Sequence, residues 1–381
     1  MNWRVQLTEV ELSEADVKSA LDVLRSEWLT MGPRTQDLER AFAAGVGAEH
    51  AVAVSSCTAA LHLACLAAVA GPGDDVIVPA MTFVASAHGA LHCGAAVVLA
   101  DSRGAADPNL DPADVAERIT PHTKAVVAVH LCGYPADVEA LRSLCDERGI
   151  FLIEDCAQAA GGRAAGGRAL GTFGELGCFS FFSKTQLGVG EGGIVVTDDA
   201  ALADRVRSLR SHAMTSVTWD RHRGHAETYD VTDLGFNYRI DELRAAVALS
   251  RLERLPSNVD ALRGVARAYR DSLAGIAGIE LPFDDAGVEL SGHFAFPVLV
   301  ADRTTRDAVR ARLHDRGVQT TFYPSLTQLG VYRPESSDGG CPRAEQFAER
   351  HIALPFFPSL DAERIDLVVS ELRDALASTV E

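Results

Sequence analysis

The chain has 381 residues, 47% hydrophobic and 23% charged, with a formal net charge of −18 at pH 7. That length supports a large domain with a smaller one beside it, and the acidity opposes non-specific contact with nucleic acid or an anionic membrane. No apolar run reaches the roughly eighteen residues of a spanning helix, and the start "MNWRVQLTEVELSEAD" lacks the basic-then-apolar profile of a secretion signal, so the expected location is the cytoplasm.

In chain order, "EADVKSALDVLRSEWLT" predicts a helix ending near Gly32 and Pro33. From His50 to Asp198, short β-branched runs alternate with helical periodicities: "HAVAVSS", "DVIVPA", "AAVVLAD", "KAVVAVHL", "FLIEDCA", "LGCFSFF" and "GGIVVTDD". Mostly apolar runs separated by helices such as "TAALHLACLAAVA" predict a parallel sheet covered on both faces, a three-layer α/β domain. The glycine-rich "AAGGRAAGGRALG" (159 to 171) reads as a mobile loop. A long helical pattern, "RIDELRAAVALSRLERL", stops at Pro256. Beyond it come a helix from 257 to about 275, a strand in "HFAFPVLV", a helix from Thr304, an extended "VQTTFYPS" and a last helix from Asp361. The expected division is a large domain over 1–256 and a smaller α+β domain over 257–381. The eight cysteines form no CxxC pair and read as buried thiols.

Four segments fall where an α/β sheet exposes its strand ends. In "VSSCTAALHLA" a strand runs into a helix start at Thr58 and Ala59, where free N–H groups and hydroxyls suit a phosphate; Ser/Thr caps also open many helices that bind nothing. In "LIEDCAQAAG", Asp155 ends an apolar strand, as a partner for a protonated pyridine nitrogen or as a helix cap. In "CFSFFSKTQLGVGEGG", Lys184 follows an aromatic strand, where an apolar setting can lower a lysine enough to form a Schiff base. In "GFNYRIDELRAA", Asn237, Tyr238 and Arg239 precede a helix and offer polar groups to a site or an interface. The segment "DRHRGHAE" gathers Arg221, Arg223, His222 and His225; with no third ligand nearby in sequence, zinc is not expected and no metal is assigned.

Together with "EWLTMGPRTQDLERAFA", "PAMTFVASA", "AVHLCGYPADVEAL" and "LPFFPSL", these segments resemble the DegT/StrS-type sugar aminotransferases of the fold-type I, pyridoxal-phosphate-dependent architecture. The resemblance covers nearly the whole chain. It implies pyridoxal 5'-phosphate as cofactor, with Thr58, Ala59 and Ser180 at the phosphate, Phe83 stacked on the ring, Asp155 at the ring nitrogen and Gln158 at the 3-hydroxyl side. It implies that Asn237 reaches the phosphate of a neighbouring subunit, hence a homodimer. The reaction implied is amino transfer from an amino acid such as glutamate to a keto-sugar, with a nucleotide-linked sugar favoured over an aminocyclitol precursor, in amino-sugar or antibiotic biosynthesis.

Guanidinium groups suit a diphosphate, which makes Arg221, Arg223 and Arg239 candidates for the substrate. Phe322 and Tyr323, in "TTFYPSLTQL", are further candidates because family members close this region over the sugar. The resemblance also poses a question of register. The family lysine lies five residues after the serine of "SF" and six before the glutamate of "GEGG", which is position 185, and here Thr185 stands there. Either Lys184 serves through a local change of backbone, or Thr185 replaces the catalytic lysine and the cofactor binds without a covalent link, or the protein is a relative without catalysis. Lys184 and Thr185 are therefore both carried as catalytic candidates.

Overall fold

The computed structural model describes residues 3–216, 222, 224, 228–332 and 340–378. Two helices open the chain, α1 (Glu14–Ser26) and α2 (Pro33–Val46), in place of one helix running to Gly32 and Pro33. Glu27 takes a left-handed conformation with φ 59° and stops α1, and Pro33 sits in the first turn of α2, where its missing N–H costs nothing. The cap of α2 comes from more than 200 residues away: the buried Glu242 carboxylate accepts the N–H groups of Gly32 at 2.8 Å, Arg34 at 2.7 Å and Thr35 at 2.9 Å. Negative charge there meets the positive end of the helix dipole.

The alternation expected from the sequence follows as β1 (His50–Val54), α3 (Cys57–Ala67), β2 (Asp75–Pro79), α4 (Val84–His92), β3 (Ala96–Ala100), α5 (Pro112–Arg118), β4 (Thr123–Val129), α6 (Val138–Arg148), β5 (Phe151–Asp155), β6 (Leu176–Ser180), β7 (Gly193–Thr197) and α7 (Ala200–Arg210). The seven strands make one sheet in the order β1-β7-β6-β5-β4-β2-β3. Only β7 runs against the rest, antiparallel to both β1 and β6; the other pairs are parallel. Strands β6 and β7 are buried along their whole length, as sheet interiors between two helical layers must be.

Helices α8 (Glu242–Leu252) and α9 (Leu255–Leu273) come next, and Pro256 lies in the first turn of α9 instead of ending its predecessor. The rest comprises α10 (Asp285–Leu290), β8 (Phe296–Leu299), α11 (Arg303–Asp315), α12 (Pro342–Arg350), β9 (His351–Leu354) and α13 (Ala362–Ala377). Strands β8 and β9 pair antiparallel in a second, smaller sheet; α12 and β9 were not legible in the sequence pattern. Seven of the cysteines are buried and Cys93 is half-buried.

The glycine-rich segment 159–171 is tied to the sheet and to α10 at its ends, with residues 165–168 exposed between them. The Gly171 N–H donates to the buried Glu154 carboxylate at 2.8 Å, as Phe173 and Gly174 do just beyond it at 2.6 and 2.7 Å. The Arg163 N–H reaches Leu290 O at 2.8 Å, and Arg163 bridges to Ala169. The glycines here serve close approach. A Cβ at Gly162 would stand 3.0 Å from Gly292 N, and one at Gly171 would overlap the Phe179 ring.

The N-terminal helix is fastened by Asp16, whose side chain is 1% exposed and lies 2.6 Å from Arg254. Burial resists its ionisation, but the Arg254 guanidinium and the groups of Ser13 and Ser250 outweigh that and bring the carboxyl from 3.8 down to about 2. A depressed carboxylate contributes stability that is fully present above its unfolded value and is lost as pH falls through the folded one. Asp16→Asn should therefore lower unfolding free energy at neutral pH by roughly 2 kcal/mol and flatten its dependence on pH between about 4 and about 2. Denaturant titrations across that range check it; a variant that matches the wild type at neutral pH contradicts the assignment.

Candidate active site

The carboxyl ends of β1, β2, β4, β5 and β6 lie along one edge of the sheet, the edge where open α/β sheets bind ligands. Register aligns the key positions: Val129 is opposite Asp155, Asp155 opposite Cys178, and Gly193 opposite both Ser180 and Val54.

At the end of β1, Ser56 caps α3 by accepting the Ala59 N–H at 3.1 Å. Thr58 is half-buried in the first turn, Ala59 is buried, and the earliest N–H groups of the helix point outward from its positive end. Gly193 lets this helix start sit directly on β7, since a Cβ there would stand 2.7 Å from Cys57 N. Ser180, at the end of β6, is buried beside it.

Asp155 is 5% exposed. Its Oδ2 accepts the Ser86 hydroxyl at 2.6 Å and its Oδ1 the Ala157 N–H at 3.0 Å. Burial pushes the carboxyl above its ordinary range, with Ser86, the Ala157 N–H and His130 acting the other way. Ser86, itself 2.7 Å from Thr82, was missed in the sequence because nothing local marks a helix serine as the partner of a strand aspartate 69 residues later. Phe83 precedes α4 and is 67% exposed. Gln158 accepts the Cys132 N–H at 2.6 Å, and its carbonyl accepts Gln186 Nε2 at 2.8 Å.

The turn after β6 answers part of the register question. Thr185 is 8% exposed, and its hydroxyl lies 3.0 Å from Ser180 O and 2.8 Å from Phe182 O. Lys184 is exposed and lines two cavities, one of them shared with Thr8, Phe294, Tyr323 and Phe356. The whole chain has three lysines, Lys18, Lys124 and Lys184. Lys18 lies on exposed α1, and Lys124 lies at the opposite edge of the sheet, 3.7 Å from Asp74. Lys184 is the lysine at this edge.

Of the remaining candidates, Asn237 is exposed on a strip tied to the end of α7, with Phe236 N 2.7 Å from Leu209 O and Tyr238 N 2.9 Å from Arg210 O. Arg239 is half-buried next to it. Tyr323 lies against His351, its N–H 2.9 Å from Nε2, and burial pushes its phenol up. Phe322 turns instead to Arg306 and Arg310, whose guanidinium carbons stand 3.9 and 4.8 Å from its ring centre. Arg221 and Arg223 lie outside the described residues, as does His225; His222 rests on Trp28 with ring centres 4.5 Å apart. Among the described residues His130, Glu154 and Cys156 hold donor atoms within 4.8 Å of one another. Both Glu154 oxygens are already taken, by three backbone N–H groups and His130 Nε2, which makes this a structural knot.

The model of the DegT/DnrJ/EryC1/StrS aminotransferase family matches residues 10–373. The chain belongs to this family. It is 36% identical to the UDP-N-acetyl-3-dehydro-alpha-D-glucosamine 3-aminotransferase of Acidithiobacillus ferrooxidans, over 95% of this chain and 97% of that protein. Among solved structures it is similar to the aminotransferase TlmJ from Streptoalloteichus hindustanus, with TM-score 0.90 and 34% identity covering 100% of both chains. It is also similar to DesV of S. venezuelae in complex with a ketimine intermediate, with TM-score 0.88 and 35% identity over 97% of this chain and 98% of that one. The large mostly parallel sheet with its smaller companion is thus the aminotransferase architecture of the family.

Because a Cβ on Gly193 would collide with backbone on both sides of the α3 start, Gly193→Ala should cost about 1–3 kcal/mol of stability. A thermal midpoint equal to wild type would show that the helix start yields freely.

Proposed function

We propose that the chain transfers an amino group from an amino acid, with glutamate as the expected donor, to a keto-sugar linked to a nucleotide, using pyridoxal 5'-phosphate. The observation that carries the reading is the buried Asp155 at the end of β5, held by Ser86 and Ala157 N–H and facing the same edge as the α3 start and Lys184. A buried carboxylate raised by desolvation gains from a cationic partner, and a protonated pyridine nitrogen is such a partner. Bound there, pyridoxal phosphate supplies the sink for the electron pair released at the donor's α-carbon.

The roles of this chain's residues follow. Asp155 holds the proton on the ring nitrogen. Thr58, Ala59 and Ser180 receive the phosphate at the helix start, Phe83 covers one face of the ring, and Gln158 orients the 3-hydroxyl side. Lys184 supplies the amine for covalent attachment and its Nζ carries the proton that leaves the donor's α-carbon, a role in which positioned acid–base catalysis contributes about 10²–10⁴-fold. Arg221, Arg223 and Arg239 meet the substrate's phosphates, with Tyr323 at the sugar. Asn237, exposed on its strip, is assigned to the phosphate of a neighbouring subunit, which makes the working unit a homodimer. Residues 1–256 hold the cofactor and 257–381 close over the substrate, in the cytoplasm where nucleotide-linked sugars are made.

A second reading rests on the turn after β6. Thr185 is turned inward and buried while Lys184 is exposed, which is the arrangement expected if Thr185 has replaced the family lysine and the cofactor is held without a covalent link. Thr185→Lys separates the two: it gains transamination under the second reading and leaves it unchanged or reduced under the first.

The direct test uses ¹⁵N-glutamate, pyridoxal phosphate and a panel of nucleotide-linked keto-sugars, with mass spectrometry of the sugar. Transfer of the label by wild type, its loss in Lys184→Ala, and at least about tenfold weaker cofactor binding in Asp155→Asn are expected. Label transfer undiminished in Lys184→Ala would remove Lys184 from catalysis, and no transfer to any sugar or cyclitol ketone would overturn the function.

A further inference from the structure

Beside Lys184 a cavity of about 180 Å³ opens between the N-terminal segment, the α8–α9 corner and the 356–358 turn. Its lining includes Lys184, Arg251, Arg254, Asn258 and Gln186. Arg251 is 7% exposed; its Nη1 donates to Glu11 O at 2.6 Å, a neutral carbonyl, and its Nε has no partner. The nearest carboxylate, Asp16, is 4.0 Å from Arg251 and is already taken at 2.6 Å by Arg254 and by hydroxyl and N–H groups of Ser13 and Ser250.

The anions nearest Arg251 are held by other groups or lie away from it. Asp16 offsets one guanidinium, and Glu9, on the same wall, is bonded to Arg364 at 3.2 Å. Glu11 gives Arg251 its main chain while its side chain is exposed. That leaves the buried Arg251 at 4.0 Å from a carboxylate it shares with the closer Arg254, with the Lys184 side chain lining the same cavity. Burial pushes the Arg251 guanidinium below its usual range. A buried guanidinium whose one anion is distant and shared is costly, and its natural complement is a carboxylate, which guanidinium binds with strong, directional hydrogen bonds. Asn258 and the buried Gln186, whose Oε1 is unpartnered, add neutral polar groups suited to the rest of a small polar molecule.

We propose that this cavity binds a small carboxylate, with Arg251 as its charge partner, joined by Lys184 when its amine is free, and Asn258 at its rim. This extends the function proposed above, in which the amino donor is itself a carboxylate; a free carboxylate acting as an effector is the other source of the same chemistry.

The probe is glutarate, a five-carbon dicarboxylate with no amine, titrated by calorimetry into the full chain free of cofactor. Binding should be measurable in wild type and absent for the neutral diamide of glutarate. It should weaken at least about tenfold in Arg251→Gln and in Asn258→Asp, since removing or opposing one charge-assisted contact is worth about 1.5–3 kcal/mol. Asn258→Asp leaves the Arg251–Glu11 link in place, so it still decides the matter if Arg251→Gln unfolds. No glutarate binding by wild type, or equal binding by wild type and Asn258→Asp, overturns the site. In the cofactor-loaded protein, competition between glutarate and glutamate for release of 2-oxoglutarate identifies the donor's own site, and binding without competition identifies an effector site. A loaded protein that never releases 2-oxoglutarate counts against the proposed function, while the calorimetry still decides the cavity.

Discussion

Two adjacent carboxylates at the end of β5 set the terms for the whole edge of the sheet. Successive residues of a strand face opposite sides, so Glu154 and Asp155 enter different surroundings. Glu154 meets four donors, three of them backbone N–H groups from 171–174, and is spent on holding the chain that leads into β6. Asp155 has two donors, and burial keeps its carboxyl raised. A fully satisfied carboxylate belongs to the fold; a buried one with capacity to spare calls for a cation from outside the chain. The register puts Ser180, Gly193 and the α3 start alongside one another, where the phosphate of the proposed cofactor is assigned.

The turn from Ser180 to Gly188 joins this edge to the rest of the protein. The Thr185 hydroxyl closes it onto two carbonyls, and Gly188 permits it, because a Cβ there would stand 2.4 Å from Ser183 O. Lys184 sits at the corner so formed, between the sheet edge and the cavities beneath Thr8, Phe294 and Phe356. The chain's two other lysines are Lys18 on α1 and Lys124 at the start of β4, and the proposed amine role falls to this corner. The same corner places Lys184 on the wall of the cavity that Arg251 also lines.

Most of the architecture was legible in the sequence because each strand is a short β-branched run bounded by a helix, a pattern set by local chemistry. What was not legible depended on distant partners. The break between α1 and α2 needs Glu242, more than 200 residues away, to cap the second helix. The ties at the ends of the 159–171 segment need the Glu154 carboxylate and the Leu290 carbonyl, which its composition alone does not show. At the site, Asp155, Gln158, Ser180, Thr58 and Lys184 stood out by their places at strand ends and by resemblance. Ser86 and Gln186 did not, since each matters through a partner on another segment, the Asp155 carboxylate for Ser86 and the Gln158 main-chain carbonyl for Gln186. Phe322 and Tyr323 are neighbours in an extended segment, and the structure turns one towards Arg306 and places the other on the wall of the cavity that Lys184 also lines, a distinction that period-two alternation foreshadows without saying which is which.

The most direct test of the central claim, that Lys184 is the working amine, is to load the protein with pyridoxal phosphate, reduce it with borohydride and map the peptides by mass. The account predicts the reduced cofactor on Lys184 and on neither Lys18 nor Lys124. Cofactor that binds tightly yet leaves every lysine unmodified would contradict it and hand the position to Thr185.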